Sequence, residues 1–155
     1  MAIGALSGNY TIYSKAYSSF LGLSSFDGAP GAPRAVIALP AVSPPPSRWQ
    51  VLELPNGKAN VTLDGQRVTR NKALIWAEST AYGSPTVEWQ VYSLPQHGAN
   101  AYMISTTGAV LEDSGTWVVP SKPNTQVKLS PYLTSTPSIP PFFQPDAILY
   151  LDRLD

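Results

Sequence analysis

Cysteine is absent from the 155 residues. That excludes disulfide staples, thiol nucleophiles and thiolate metal sites, and it suits a reducing compartment. Histidine occurs once, as His97, so neither a histidine metal cluster nor a Ser-His-Asp arrangement with a spare imidazole is available. Charge is scarce and balanced. Ten basic and ten acidic residues leave a formal net charge of zero, which gives no electrostatic footprint for phosphate backbones and argues against a nucleic-acid partner. Long apolar runs are missing too: Ala35 to Leu39 stops at Pro40, and the opening MAIGALSGN has neither a basic region nor an apolar stretch long enough for a secretory leader. No membrane partner is expected, and the chain reads as soluble and cytoplasmic.

Proline and glycine are plentiful instead. Sixteen prolines and eleven glycines along the whole length break the helical ladder too often for long helices. Between them lie short runs rich in β-branched and aromatic residues: YTIYS, SFLGL, AVIAL, WQVLEL, NVTL, QRVTR, ALIWA, EWQVYSL, AYMIS, TWVV, QVKL and AILYL. Alternation by twos, as at Trp49, Val51 and Gln50, marks half-buried strands. One phrase recurs: WQVLELPNGKAN from Trp49 is echoed by WQVYSLPQHGAN from Trp89. Similar text also follows Asn9, Asn60 and Asn100. Twelve strands in three units match an all-β fold, the β-trefoil: a six-stranded barrel with a hairpin cap. The expected organisation is a single domain over residues 1–155, with units at about 9–59, 60–99 and 100–155. Trp49 and Trp89 are expected in equivalent core positions, with Ile148 in the third, because no unit alone can bury its apolar face.

The units differ in length, and the surplus marks the places that can carry function. It falls in SSFDGAPGAPR (24–34), in AVSPPPS (41–47) and in SPYLTSTPSIPPFFQP (130–145). Proline in these stretches holds backbone extended and lowers the entropy lost on binding. Catalytic patterns are lacking: there is no GxSxG, phosphate loop or HExxH, and adjacent Glu112 and Asp113 have no partner placed by spacing. No enzyme activity, cofactor or metal is expected. His97, in Pro-Gln-His-Gly, reads as an exposed turn residue, and Arg67, Arg70 and Lys72 as a solvated strand face.

Several features together resemble the small cytoplasmic β-trefoil proteins of mushrooms. These are the opening GNYTIYSKAYSSFLGL, the proline-rich insertion before RAVIALP, the paired RWQV and EWQV strands and the missing cysteines. Two branches are similar at this level: the serine-protease inhibitors of the cospin and cnispin type, and the ricin-B-like lectins. The inhibitor resemblance implies a monomeric defence or regulatory protein whose partner is a trypsin- or chymotrypsin-like serine protease, entered by one rigid loop. In the first insertion that loop offers Ser25, Phe26, Asp27 and Gly28, with Arg34 after Pro33. Phe26 suits a chymotrypsin-like pocket and Arg34 a trypsin-like one. Tyr132 and Leu133 form the second candidate loop, and Lys122 is poor bait because Pro123 follows it. The lectin resemblance implies glycan binding on exposed aromatic faces, for which Trp76, Tyr82 and Trp117 are the candidates. The QxW signature of ricin-type lectins is absent in that order.

Overall fold

The computed structural model describes residues 6–17, 19–23, 33–40, 48–71, 73–79, 87–106, 115–130 and 136–154. Twelve strands follow in order: β1 (Gly8–Ser14), β2 (Leu21–Leu23), β3 (Arg34–Ala38), β4 (Trp49–Glu53), β5 (Ala59–Leu63), β6 (Gln66–Asn71), β7 (Leu74–Glu78), β8 (Trp89–Ser93), β9 (Ala101–Thr106), β10 (Thr116–Val118), β11 (Lys128–Ser130) and β12 (Leu149–Arg153). Six of them close a ring, because β1 pairs with β4, β4 with β5, β5 with β8, β8 with β9, β9 with β12, and β12 with β1. The other six form the hairpins β2–β3, β6–β7 and β10–β11, which join one another through β7. A six-stranded barrel capped by three hairpins is the β-trefoil.

Pseudo-threefold symmetry is written in the ladders. Each fourth strand pairs with the first strand of the next unit over five residue pairs, in β4–β5, β8–β9 and β12–β1. The residue opening the fourth strand is Trp49, Trp89 and Leu149, facing Leu63, Thr106 and Ser14 respectively. Within their own units the same three face Tyr10, Ala59 and Tyr102. The third equivalent of the tryptophans is therefore Leu149 rather than the expected Ile148. That one-residue difference is a change of face, since side chains alternate along a strand. Ile148 is buried, but in a second apolar cluster with Leu94, Ala101, Met103, Val118 and Ala147.

The asparagines that seemed to open each unit are not equivalent either. Asn9 precedes Tyr10, Asn60 follows Ala59, and Asn100 lies two residues before Tyr102. Hairpin length explains the slip. After β4 the turn closes tightly, with the Leu54 amide donating to the Lys58 carbonyl at 2.8 Å; after β8 the matching bond runs from Leu94 to Ala101, around a 3₁₀ turn at Pro95–His97. The shared Ala-Asn letters at 59–60 and 99–100 thus sit at different structural places.

The axial core contains an exchange of bulk. Trp49 and Trp89 are fully buried, and their indole N–H groups donate to the carbonyls of Leu21 (3.0 Å) and Val68 (3.2 Å). Leu21 and Val68 each follow the residue that bridges the second strand to the first: Phe20 opposite Tyr13, and Arg67 opposite Thr62. In the third unit Thr116 bridges Ser105, so the matching position is Trp117. The large residue there comes from the second strand and the small one, Leu149, from the fourth. Trp117 is fully buried and touches both partners, with ring centroids 5.8 Å from Trp49 and 5.3 Å edge-on from Trp89. Such pairs contribute about 0.5–1.5 kcal/mol each beyond the area they bury.

Replacing Trp117 by Ala is expected to cost about 3–5 kcal/mol of folding stability, the range for emptying a large aromatic site. A Trp117→Leu/Leu149→Trp exchange, which restores the arrangement of the other two units, is expected to cost less than its two single changes added together. Urea unfolding of the four proteins measures both; additive costs would show that the two positions do not share one space.

Candidate functional site

The three inserted stretches leave the barrel at defined places. The first runs from β2 to β3, whose feet are closed by Leu23 opposite Val36 and Gly22 opposite Ile37. Ser25, Phe26, Asp27 and Gly28 lie outside the described residues, as do Tyr82, Tyr132 and Leu133. Arg34 is the first residue of β3, half-buried and opposite Ala77 of β7, so it belongs to a strand ladder at the foot of the first loop. Arg67 and Arg70 are half-buried on β6, where a solvated face was expected. Trp76 is half-buried on β7, opposite Thr69 and Ala35. Trp117 corrects its expected sugar-binding role: fully enclosed by the core, it has no face to offer a ligand. Among the described residues no group of three or more His, Asp or Glu side chains could hold a metal, and no helix is long and apolar enough to cross a membrane.

The connection from β11 to β12 is where the described residues build an exposed, ordered loop. Thr136 to Phe142 are all exposed, and Ile139 at the apex is 99% exposed. The loop is closed at its base, where the Thr136 amide donates to the Phe142 carbonyl at 2.8 Å and the Phe142 amide donates back to Thr136 Oγ1 at 3.0 Å. Inside, Thr136 Oγ1 and Ser138 Oγ lie 2.6 Å apart, and Ser138 Oγ donates to the Pro140 carbonyl at 3.0 Å. A serine hydroxyl has one hydrogen, so the 2.6 Å contact is donated by Thr136. The result is a chain of bonds in one sense, from the Phe142 amide through both hydroxyls to Pro140, and such chains reinforce one another. Pro137, Pro140 and Pro141 restrict φ along the rest. The loop is stiff because local bonds and pyrrolidine rings remove most of its alternatives.

A second hairpin holds this loop in place. Gln96 Nε2 donates to the Pro141 carbonyl at 2.9 Å, and the Phe143 amide donates to His97 Nε2 at 2.9 Å. The His97 ring lies 4.8 Å from Phe142 and 6.4 Å from Phe143, centroid to centroid. Phe143 packs on the apolar cluster around Ile148, and the adjoining 3₁₀ turn Pro145–Ala147 is tied by the Val119 amide to the Asp146 carbonyl at 2.9 Å. His97 is therefore half-buried and engaged, where an exposed turn residue was expected. Sequence gave no sign of it, because its partner is 46 positions away. The surplus stretch 130–145 contains this ordered loop, while the apolar pair expected as its candidate, Tyr132 and Leu133, lies outside the described residues.

A β-trefoil whose three units share one core can carry different connections at its surface. The chain belongs to the Peptidase inhibitor I66 family, which it matches over residues 5–153; it is a peptidase inhibitor rather than an enzyme, and its partner is a protease. Among solved structures it is similar to a proteinase inhibitor from Coprinopsis cinerea, with 22% identity, a TM-score of 0.81, and coverage of 96% of this chain and 98% of that one. It is also similar to ThreeFoil, a designed threefold-symmetric protein, at 13% identity and a TM-score of 0.65, covering 95% of this chain and 99% of that one. A salivary protein from Culex quiquefasciatus matches at 10% identity and 0.69, covering 99% and 98%. Comparison with curated proteins gives no match.

His97 makes the loop's anchorage dependent on pH. Burial lowers its pKa from the ordinary 6.5, and the Lys15 ammonium lowers it further; Lys15 donates to Tyr150 Oη at 3.0 Å, and Tyr150 Oη to the His97 carbonyl at 3.5 Å. Only the neutral ring can accept the Phe143 proton at Nε2. The released state takes up a proton near pH 6.5 and the anchored state only at lower pH, so the anchorage is complete above 6.5 and weakens as pH falls below it. The protection factor of the Phe143 amide, measured by hydrogen exchange, is expected to hold constant from pH 8 to about 7 and to decline toward pH 5, and a His97→Gln variant to lose that decline.

Proposed function

We propose that the protein inhibits serine proteases of the trypsin or chymotrypsin type, by inserting the β2–β3 loop into the active-site cleft. Membership of a peptidase-inhibitor family over nearly the whole chain carries the reading. Its finer part is supported by the first insertion, a stretch rich in Ser, Gly and Pro, leaving paired strands at Leu23 and Val36. Phe26 and Arg34 are the side chains of that stretch that suit a deep specificity pocket, apolar and basic respectively. An inhibitor needs no catalytic group. Affinity comes from a pre-ordered loop, backbone pairing along the enzyme's own strand and one filled pocket, over an interface of roughly 1,600 Å² in total. We include in this reading a monomeric, cytoplasmic protein, in keeping with a cysteine-free chain, serving defence against feeding animals or control of endogenous proteases.

Residual trypsin and chymotrypsin activity at equimolar inhibitor tests it. Phe26→Ala is expected to weaken inhibition of chymotrypsin, and Arg34→Ala that of trypsin, each by about tenfold or more, the effect of truncating a side chain that fills a central pocket. Full activity of both enzymes in the presence of the unaltered protein would rule the reading out.

A further inference from the structure

The barrel end away from the hairpin cap is ringed by the last residues of the fourth strands and the residues opposite them. Glu53 faces Ala59, Ser93 faces Tyr102, and Arg153 faces Tyr10. Tyr10, Ala59 and Tyr102 are the same position in the three units, since each also faces the residue that opens its own unit's fourth strand. Two units therefore place a phenol ring at this level, and the second unit places a methyl group.

The missing ring leaves a gap. Val51 and Leu151 are buried at the third position of their fourth strands, whereas their counterpart Val91 is only half-buried. Beside it opens a cavity of about 320 Å³, walled by Ala59, Val91 and the half-buried Tyr102, and bounded by Leu6 of the segment that enters β1. On its rim, a Cβ added to Gly57 would meet nothing within 4 Å. Protein interiors seldom leave such space unfilled, because its walls forgo their packing contacts. Glu53 and Ser93 add polar groups to these apolar walls. Glu53 Oε1 accepts the Leu6 amide, and Oε2 has no hydrogen-bond partner among the described residues.

The filled position shows what completes the arrangement. At Tyr10 the fourth strand supplies a cation: Arg153 Nη2 donates to Tyr10 Oη at 2.8 Å, and the guanidinium lies 5.0 Å from the ring centroid. The hydroxyl passes its own hydrogen to the Leu6 carbonyl. At Ala59 both members of the pair are exchanged, the ring for a methyl and the cation for a carboxylate. The missing partner is a ring that brings its own positive charge.

We propose that this cavity binds a small aromatic amine, with its ring in the space left by Ala59, against Val91 and Tyr102, and its ammonium group on Glu53. Apolar walls with a few convergent polar groups are the makings of a small-molecule site. The carboxylate repels an anionic ligand of the same shape, and a ring beside Tyr102 gains more than an aliphatic chain of equal size. The site is remote from the β2–β3 loop and stands whether or not that loop binds a protease.

Tyramine, p-cresol and p-hydroxyphenylacetate share one ring and differ in charge, so NMR titration of the full chain with each tests the assignment. Tyramine is expected to bind with a Kd of about 0.1–1 mM, ordinary for a ligand of about ten non-hydrogen atoms. p-Cresol is expected to bind about tenfold more weakly, the loss of one charge-assisted contact, and p-hydroxyphenylacetate not to bind. Glu53→Gln keeps an oxygen for the Leu6 amide. It is expected to lower tyramine affinity to that of p-cresol and to leave p-cresol unchanged, a loss of selectivity that mere loosening of the segment at Leu6 would not produce. Ala59→Tyr gives the second unit the ring of the other two, and is expected to raise the melting temperature and abolish binding of both ligands. Absence of tyramine binding, its retention in a folded Ala59→Tyr protein, or undiminished tyramine affinity in Glu53→Gln overturns the proposal. The Glu53→Gln comparison decides it independently of how Ala59→Tyr folds.

Discussion

Three indoles meeting across the pseudo-threefold axis are the contact on which the rest of this fold depends. Two come from the start of a fourth strand, Trp49 and Trp89, and one from a second strand, Trp117. A barrel of six strands has an interior that must be filled to crystal-like density, and three identical side chains on a threefold axis would crowd one another at a single level. Placing the third indole on a neighbouring strand, with Leu149 in the vacated position, fills the same space without that collision. Trp49 and Trp89 satisfy their N–H groups on Leu21 and Val68. The Trp117 N–H is buried with no partner among the described residues, a cost that accompanies the exchange of strands.

With the core held in common by three units, the connections are free to differ. The β-trefoil restricts the strand ends, as at Leu23 opposite Val36 and Val118 opposite Lys128, and places no demand on what runs between them. In the third unit the free length has been ordered again, by hydroxyls and prolines within the loop and by Gln96 and His97 from the second unit's hairpin. A loop already ordered binds a partner more tightly than one ordered on contact, since ordering subtracts from affinity. The same 3₁₀ turn that lengthens the second hairpin supplies both anchors. The loss of strict repetition there is thus the source of the loop's support.

Much of the fold could be read from residue patterns because its signals are local. All twelve strands were visible as short β-rich runs between prolines and glycines, and the Trp-Gln-Val phrase at 49 and 89 exposed the repeat. Equivalences in the third unit were not visible. Leu149 shares no letters with Trp49, Trp117 lies on a different strand from its functional counterparts, and the recurring asparagines at 9, 60 and 100 coincide only in text. Each of these is settled by ladder register, which depends on hairpin length. His97 was misread for a related reason: a turn histidine looks solvated until the segment that packs over it is known.

By itself the chain's order of residues determined the all-β class, the threefold plan and the segments where length is in surplus, because strand periodicity and turn chemistry act between near neighbours. Tertiary structure decided which large side chains share the axis and which atoms stiffen the exposed loop. Those choices pair residues such as Trp49 with Trp117 and His97 with Phe143, far apart in the chain. Their energies come from filling one common volume and meeting one another's hydrogen-bonding groups, and neither exists until the barrel has closed.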